Sequence, residues 1–143
     1  MNREQYMEYV EHFNAKRFDK VAGYFTPDVT VEYPDNFFGK DRIPLTLHGP
    51  QEFIDNYLGI TENTKEVLEV GTYMYENQQA FVELYTEFIT FKDSPPGSAR
   101  AARKGDIRIM TNWVLYDFDD NGKMKRIRIA HFRNHDPGTA KYK

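Results

Sequence analysis

Apolar residues recur every three or four positions near the start of this chain and every second position over its latter half. Between Arg3 and Ala15, Tyr6, Tyr9, Val10 and Phe13 fall on one face with Glu8, Glu11 and His12 between them, which predicts an amphipathic helix. A shorter helical piece is predicted from Phe18 to Tyr24, with Phe18, Val21, Ala22 and Phe25 on one side. Thr26-Pro27-Asp28 interrupts it, and the β-branched run Val29 to Tyr33 predicts a short strand. Pro34 to Leu47 carries no period and reads as irregular chain. Its Phe37 and Phe38 suit either a flap over a pocket mouth or a plain surface loop. Gly49-Pro50 then places proline in the first turn of another helix, where its missing N–H costs nothing. That helix is expected to reach about Leu58 and to bury Phe53, Ile54, Tyr57 and Leu58.

Long alternating segments predict the remaining strands: Glu66 to Tyr75 and Gln78 to Lys92, turning at Glu76-Asn77, then Ile107 to Phe118 and Lys123 to Arg133. The last two join through Asp119-Asp120-Asn121-Gly122, and Asn-Gly between alternating runs is a strong hairpin signal. Asp93 to Gly105 is expected to be a long mobile loop, and residues 135–143 a polar tail. With no repeat, low-complexity tract or linker, residues 1–143 read as a single domain.

Taking Asn121 and Gly122 as the turn sets a register, and register sorts side chains by face. Tyr116 then lies opposite Ile127, Val114 opposite Ile129, and Asn112 opposite His131. On the other face Asp117 meets Arg126, Leu115 meets Arg128, and Trp113 meets Ala130. The ion-pairing residues mark the second face as outer, so the first is expected to be concave. The strand from Gln78 is ambiguous. Ala80, Val82, Leu84 and Phe88 look like core, which would turn Phe81, Glu83, Tyr85 and Glu87 to water. The opposite arrangement would place a carboxylate pair inside, where one member's pKa could rise into general acid–base range.

Composition narrows the class. A net charge of −3 does not suit a nucleic-acid partner, and the small basic group Arg100, Arg103, Lys104 and Arg108 reads as a solvated loop. Without cysteine there is no disulfide or thiolate chemistry. The charged start Met1-Asn2-Arg3-Glu4-Gln5 does not read as a signal peptide, and no window has the length of a membrane span, so a cytoplasmic setting is expected. Ten Tyr and eleven Phe suggest a ring-lined cavity, although an interface between chains would use them too.

The order of these elements, with Thr30-Val31-Glu32-Tyr33-Pro34 followed by Leu47-His48-Gly49-Pro50-Gln51-Glu52-Phe53-Ile54, resembles the nuclear-transport-factor-2-like, or SnoaL-like, superfamily. The resemblance implies an α+β fold: a cone-shaped, curved mixed sheet wrapped around N-terminal helices, a cystatin-like α+β barrel with one small-molecule pocket. Laid against the Δ5-3-ketosteroid isomerases, Tyr9 falls on the oxyanion-hole tyrosine and Tyr33 on the catalytic aspartate. Val114 falls on the protonated aspartic acid and His131 on a pocket-wall tryptophan. Two of three catalytic positions therefore differ, and steroid isomerisation by that mechanism is not expected. The Glu-Tyr strand end is similar to that of scytalone dehydratases, without their full histidine pair. The aspartates and arginine of limonene-epoxide hydrolases are not evident either. Polyketide cyclases and natural-product isomerases of the SnoaL-like group are the best general relatives.

The resulting expectation is a cofactor-independent isomerase, cyclase or dehydratase of secondary metabolism, acting by proton transfer on an apolar polycyclic or polyketide-like molecule. His131, which as a histidine titrates near neutrality, would move the proton with help from Glu83 or Glu87. Tyr9, Tyr33 and Asn112 would hold the developing oxyanion. Tyr85, Tyr116, Val114, Ile129 and Phe81 would shape the cavity, and Arg42 would meet an anionic or enolate oxygen. His48 is expected to serve local hydrogen bonding at a helix start, and His12 and His135 to lie at the surface. No metal-ligand spacing or phosphate loop is present. Two other functions compete: a non-catalytic ligand-binding or dimerisation module, and an epoxide hydrolase in which Glu87 and Asn112 hold a water. A homodimer is expected through Trp113 and Phe132.

Overall fold

A computed structural model describes residues 1–36, 40–98 and 101–143; Phe37 and Phe38, named above as a flap, and Arg100 lie outside them. The first helix, α1 (Arg3–Asn14), starts at a capping box in which Asn2 and Gln5 satisfy each other's backbone N–H groups. It buries Tyr6, Tyr9, Val10 and Phe13, the face its period predicts. A short α2 (Phe18–Ala22) follows and buries Phe18 and Val21.

The first strand, β1 (Phe25–Tyr33), corrects the expected interruption, because Thr26-Pro27-Asp28 lies within it. Proline is tolerated there because the pairing with the last strand is shifted between Phe25 and Thr30, so Pro27 owes no ladder hydrogen bond. A second correction is β2 (Leu45–His48), inside a stretch whose lack of period hid it. Four residues are too few to show alternation, and β2 is an edge strand paired antiparallel to β1. Next comes α3 (Gly49–Thr61), three residues longer than predicted. It buries Phe53 and Tyr57 but leaves Leu58 52% exposed, against expectation. His48 caps it through its backbone N–H, which donates to Glu52 Oε1 at 3.0 Å.

Four long strands complete the chain: β3 (Thr64–Glu76), β4 (Gln79–Thr90), β5 (Ile107–Phe118) and β6 (Met124–His135). The sheet order is β2-β1-β6-β5-β4-β3, antiparallel throughout except for the parallel β1–β6 pair. It is a curved mixed sheet packed on three helices, as expected, but it is open rather than closed into a barrel. The helices fill its concave side, and Asn14 ties α1 to β3 by donating to Leu68 O at 2.9 Å and accepting from Leu68 N at 2.8 Å.

All six expected β5–β6 pairs occur, from Asn112–His131 to Asp117–Arg126. The turn that sets them is nevertheless not a two-residue hairpin. Asp119 N–H donates to Lys123 O, and Phe118 pairs with Met124. The longer loop would shift the register by one, and a bulge at Lys125 shifts it back. A second β6 bulge, opposite Thr111 and Asn112, sets Phe132 outside the regular alternation. Its ring stacks on Trp113 with centroids 3.9 Å apart.

The expected polar tail is tied to the convex face. Glu87 is fully buried there and accepts the backbone N–H of Lys141 at 2.8 Å and of Tyr142 at 3.0 Å. Described residues of the loop expected over 93–105 are likewise tied to the body: Ser94 Oγ accepts from Asn63 Nδ2, and Gly105 N–H donates to Thr90 O.

Candidate functional site

Side chains alternate across a strand, so the β5–β6 register decides what faces inward. Asn112, Val114 and Tyr116 from β5, with Ile127, Ile129 and His131 from β6, line one concave wall of a cavity. Leu84 pairs with Asn112, which brings Leu84, Thr86 and Phe88 onto the same wall. Glu66 and Leu68 continue it on β3, and Val31 and Tyr33 on β1. Tyr9 and Phe13 of α1, with Phe53 and Tyr57 of α3, form the opposite side. The space left between them is about 100 Å³.

That geometry sorts the candidates. Tyr9, Tyr33, Asn112, Val114, Tyr116, Ile129 and His131 stand in the cavity wall. Phe81, Glu83, Tyr85 and Glu87 do not, which corrects the arrangement that turned them inward. With Leu84 and Thr86 inside, strict alternation turns these four to the convex face. There Glu83 accepts a hydrogen bond from Trp113 Nε1 at 3.0 Å, and the Tyr85 hydroxyl donates to Glu87. Arg42 is exposed, in a short 3-10 helix (Lys40–Arg42), and is not part of the cavity wall. Glu87 therefore cannot hold a water for epoxide opening within this cavity.

The polar groups of the cavity fall into three sets. Phenols from the helices meet phenols from the sheet in the first set. Tyr6 and Tyr116 hydroxyls are 2.7 Å apart, Tyr9 bonds to Tyr116 in turn, and Tyr33 and Tyr57 hydroxyls are 2.6 Å apart. Burial pushes the Tyr6, Tyr9, Tyr57 and Tyr116 phenols well above their usual range, so they stay protonated donors at any working pH. Titratable groups form the second set and stand on two sides of the sheet wall, with β4 and β5 between them. Glu66 lies on β3, close enough to Tyr57 to raise that phenol further by charge repulsion. His131 lies on β6, its backbone N–H donating to Asp35 Oδ2 at 3.2 Å and its Nε2 3.0 Å from Asn134 Oδ1.

The third set is Thr86, between those two sides. It is 1% exposed, and its hydroxyl has no hydrogen-bond partner among the described residues. A buried unsatisfied hydroxyl costs roughly 1–3 kcal/mol, which a ligand atom in the cavity would recover. Sequence reasoning missed Glu66, Asp35 and Thr86. A signal existed for Glu66 alone, as the one carboxylate in the alternating row that continues with Leu68 and Val70.

A curved open sheet wrapped on helices around a phenol-lined cavity defines a class of small α+β proteins with an interior pocket. The chain belongs to the SnoaL-like domain family, whose model matches residues 6–127. It is similar in structure to a candidate polyketide cyclase of Xanthomonas campestris pv. campestris, at TM-score 0.66 and 15% identity over 87% of this chain and 84% of that one. A candidate ketosteroid isomerase of Kribbella flavida gives TM-score 0.64 and 13% identity over 94% and 80% of the two chains. The epoxide hydrolase/cyclase-like enzyme SalBIII, with a role in pyran ring formation in the polyether salinomycin, gives 0.63 and 17% over 92% and 95%. At these identities the likeness is one of fold. No curated protein matches the chain significantly. Among the described residues, no helix is long and apolar enough to cross a membrane.

Proposed function

We propose that this protein is a cofactor-independent isomerase or lyase, of the cyclase or dehydratase kind, that moves protons on a small apolar ring compound carrying a carbonyl or hydroxyl group. The observation that carries this reading is that a carboxylate, Glu66 on β3, and an imidazole, His131 on β6, line one cavity rich in rings and protonated phenols. Glu66 takes the proton from a carbon next to the carbonyl, and the C–H electrons move onto the carbonyl oxygen. A phenol, Tyr9 or Tyr33, donates to that oxygen, a contribution of several kcal/mol in comparable sites. His131 then delivers a proton to a second carbon, completing an isomerisation, or to a departing hydroxyl, completing a dehydration. Asn112 and Thr86 orient the substrate between them. Glu66 thus takes the part that Glu83 and Glu87 cannot fill from the convex face.

The test is proton exchange at carbon. With 2-tetralone in D2O followed by NMR, the protein should speed loss of the C1 protons, Glu66→Gln should remove at least about 100-fold of that rate, and Glu83→Gln should not. Equal rates with and without Glu66 would overturn the mechanism. The competing reading, ligand binding without chemistry, draws support from the small volume that the cavity's own rings leave. It predicts tight binding of ring compounds with no exchange. The homodimer enters here too, because Trp113 and Phe132, stacked on the convex face, remain 38% and 48% exposed, and a second copy of the chain would cover them.

A further inference from the structure

Beyond Asn56, Ile60 and Phe88, which line both spaces, the cavity meets a second and larger chamber of about 590 Å³. It lies between the second half of α3, the start of β3 and the loop that follows β4. Its walls are held by long-range bonds rather than left to chance. Asn63 Nδ2 donates to Ser94 Oγ at 2.7 Å, and the backbone N–H of Ala102 reaches the same oxygen at 3.0 Å. The chemistry differs from that of the first cavity. Hydroxyls of Thr64, Thr90 and Ser98 line it, and because Thr64 Oγ1 already donates to Asn63 Oδ1 and Ser98 Oγ to Pro95 O, what these two offer a ligand is acceptor lone pairs. Gly59, Ile60, Phe88, Pro95 and Ala102 supply apolar patches between them. Among the described residues the charged lining is three carboxylates, Asp55, Glu62 and Asp106, against Arg108. That excess of negative charge disfavours phosphate or other anionic groups.

We infer that the two chambers form one site for an elongated, uncharged molecule with an apolar ring head and a hydroxyl-rich extension, such as a glycosylated or polyhydroxylated ring compound. The ring enters the phenol-lined cavity, and hydroxyls of the extension donate to the Thr90 and Ser98 oxygens. Together the volumes fall within the roughly 300–1,000 Å³ of ordinary ligand sites, which the inner cavity alone does not reach. The inference rests on the proposed function, since the ring must occupy the inner cavity, and it adds the class of the remainder.

Gly59 supplies the test. It lines the second chamber only, it has ordinary helical backbone, and a Cβ built on it meets nothing within 4 Å. Gly59→Tyr therefore fills the outer chamber while leaving the fold and the inner cavity intact, and it favours the helix. Fluorescence titration of the whole chain would compare 2-naphthol, 2-naphthyl β-D-glucoside and 2-naphthyl phosphate. The glucoside should bind about tenfold more tightly than naphthol, the gain of one or two hydrogen bonds kept in the complex. The phosphate should bind more weakly than naphthol. Gly59→Tyr should erase the glucoside's advantage and leave naphthol unchanged. Naphthol bound with no advantage for the glucoside, or an advantage that survives Gly59→Tyr, overturns the inference and leaves the inner-cavity reading standing. Failure of every probe to bind overturns both.

Discussion

Replacing Glu87 by glutamine should release the C-terminal segment and cost the fold about 2–4 kcal/mol. Its carboxylate accepts two backbone N–H groups, from Lys141 and Tyr142, and the Tyr85 hydroxyl, all on a side chain with no exposed surface. A hydrogen bond to a charged group is worth roughly 1.5–3 kcal/mol net, and the isosteric amide turns N–H toward at least one donor. The sum is reduced because a released tail regains water. In a chain of this size 1 kcal/mol moves the thermal midpoint by about 2–4 °C, so a fall on the order of 5–15 °C is expected. Calorimetry on wild type, Glu87→Gln, a chain ending at His135 and the combination forms a double-mutant cycle. In the shortened chain Glu87 has no tail to hold and meets water, so the substitution should cost almost nothing there. The reasoning is refuted if Glu87→Gln costs less than about 0.5 kcal/mol, or costs the same with the tail removed. Acid should act in the same direction. For Glu87, burial raises the carboxyl pKa, but its hydrogen bonds outweigh that and hold it below the ordinary value. For Glu69 the Tyr142 hydroxyl and Lys141 lower it. Groups lowered in the fold contribute fully above the unfolded carboxylate value of about 4.3 and lose that contribution as pH falls through the folded value. The midpoint of wild type should therefore drop more steeply below about pH 4 than that of Glu87→Gln.

Thr86→Val should stabilise the unliganded protein by about 1 kcal/mol in urea unfolding, because it removes a buried hydroxyl that lacks a partner, and should weaken ring-compound binding in the same preparation. A Thr86→Val chain that is both less stable and equally good at binding would rule out a ligand contact there. Tyr116→Phe should cost about 1–3 kcal/mol, since it strands the buried Tyr6 and Tyr9 hydroxyls; urea midpoints below that range would mean that the phenol chain contributes little. Trp113→Arg should leave the thermal midpoint within a few degrees but shift sedimentation equilibrium from two chains toward one. Unchanged mass in the variant would remove the convex-face dimer.

The β5–β6 hairpin shows how much local pattern can carry. Six pairs follow from Asn121-Gly122 and a period of two, although the turn itself is longer and a bulge at Lys125 makes good the difference. The concave placement of Asn112, Val114, Tyr116, Ile129 and His131 came with that register. The β4 strand shows the limit. Its period puts Ala80, Val82, Leu84 and Phe88 in the core, but two carboxylates and a phenol on the other face leave the inverse arrangement open. Leu84 opposite Asn112 is the fact that decides between them. The short β2 escaped notice because four residues at an edge have no period to display, and Leu58 is exposed because the core-facing side of α3 is the one that carries Phe53 and Tyr57.

Sequence alone determined the local chemistry of this protein: helices where rings repeat every three or four residues, strands where they alternate, a superfamily from the order of both, and a phenol-rich interior from composition. Those properties depend on neighbours a few positions apart, where backbone geometry leaves few choices. Tertiary structure decided everything that depends on distant segments meeting. Glu87 became a buried latch because residues fifty-four and fifty-five positions later cover it. Glu66 came to line the cavity because β3 packs beside α3, and the outer chamber has its wall because the loop after β4 is tied to Asn63. A side chain's face can be read from its neighbours, but what lies over that face is set by how the whole sheet bends.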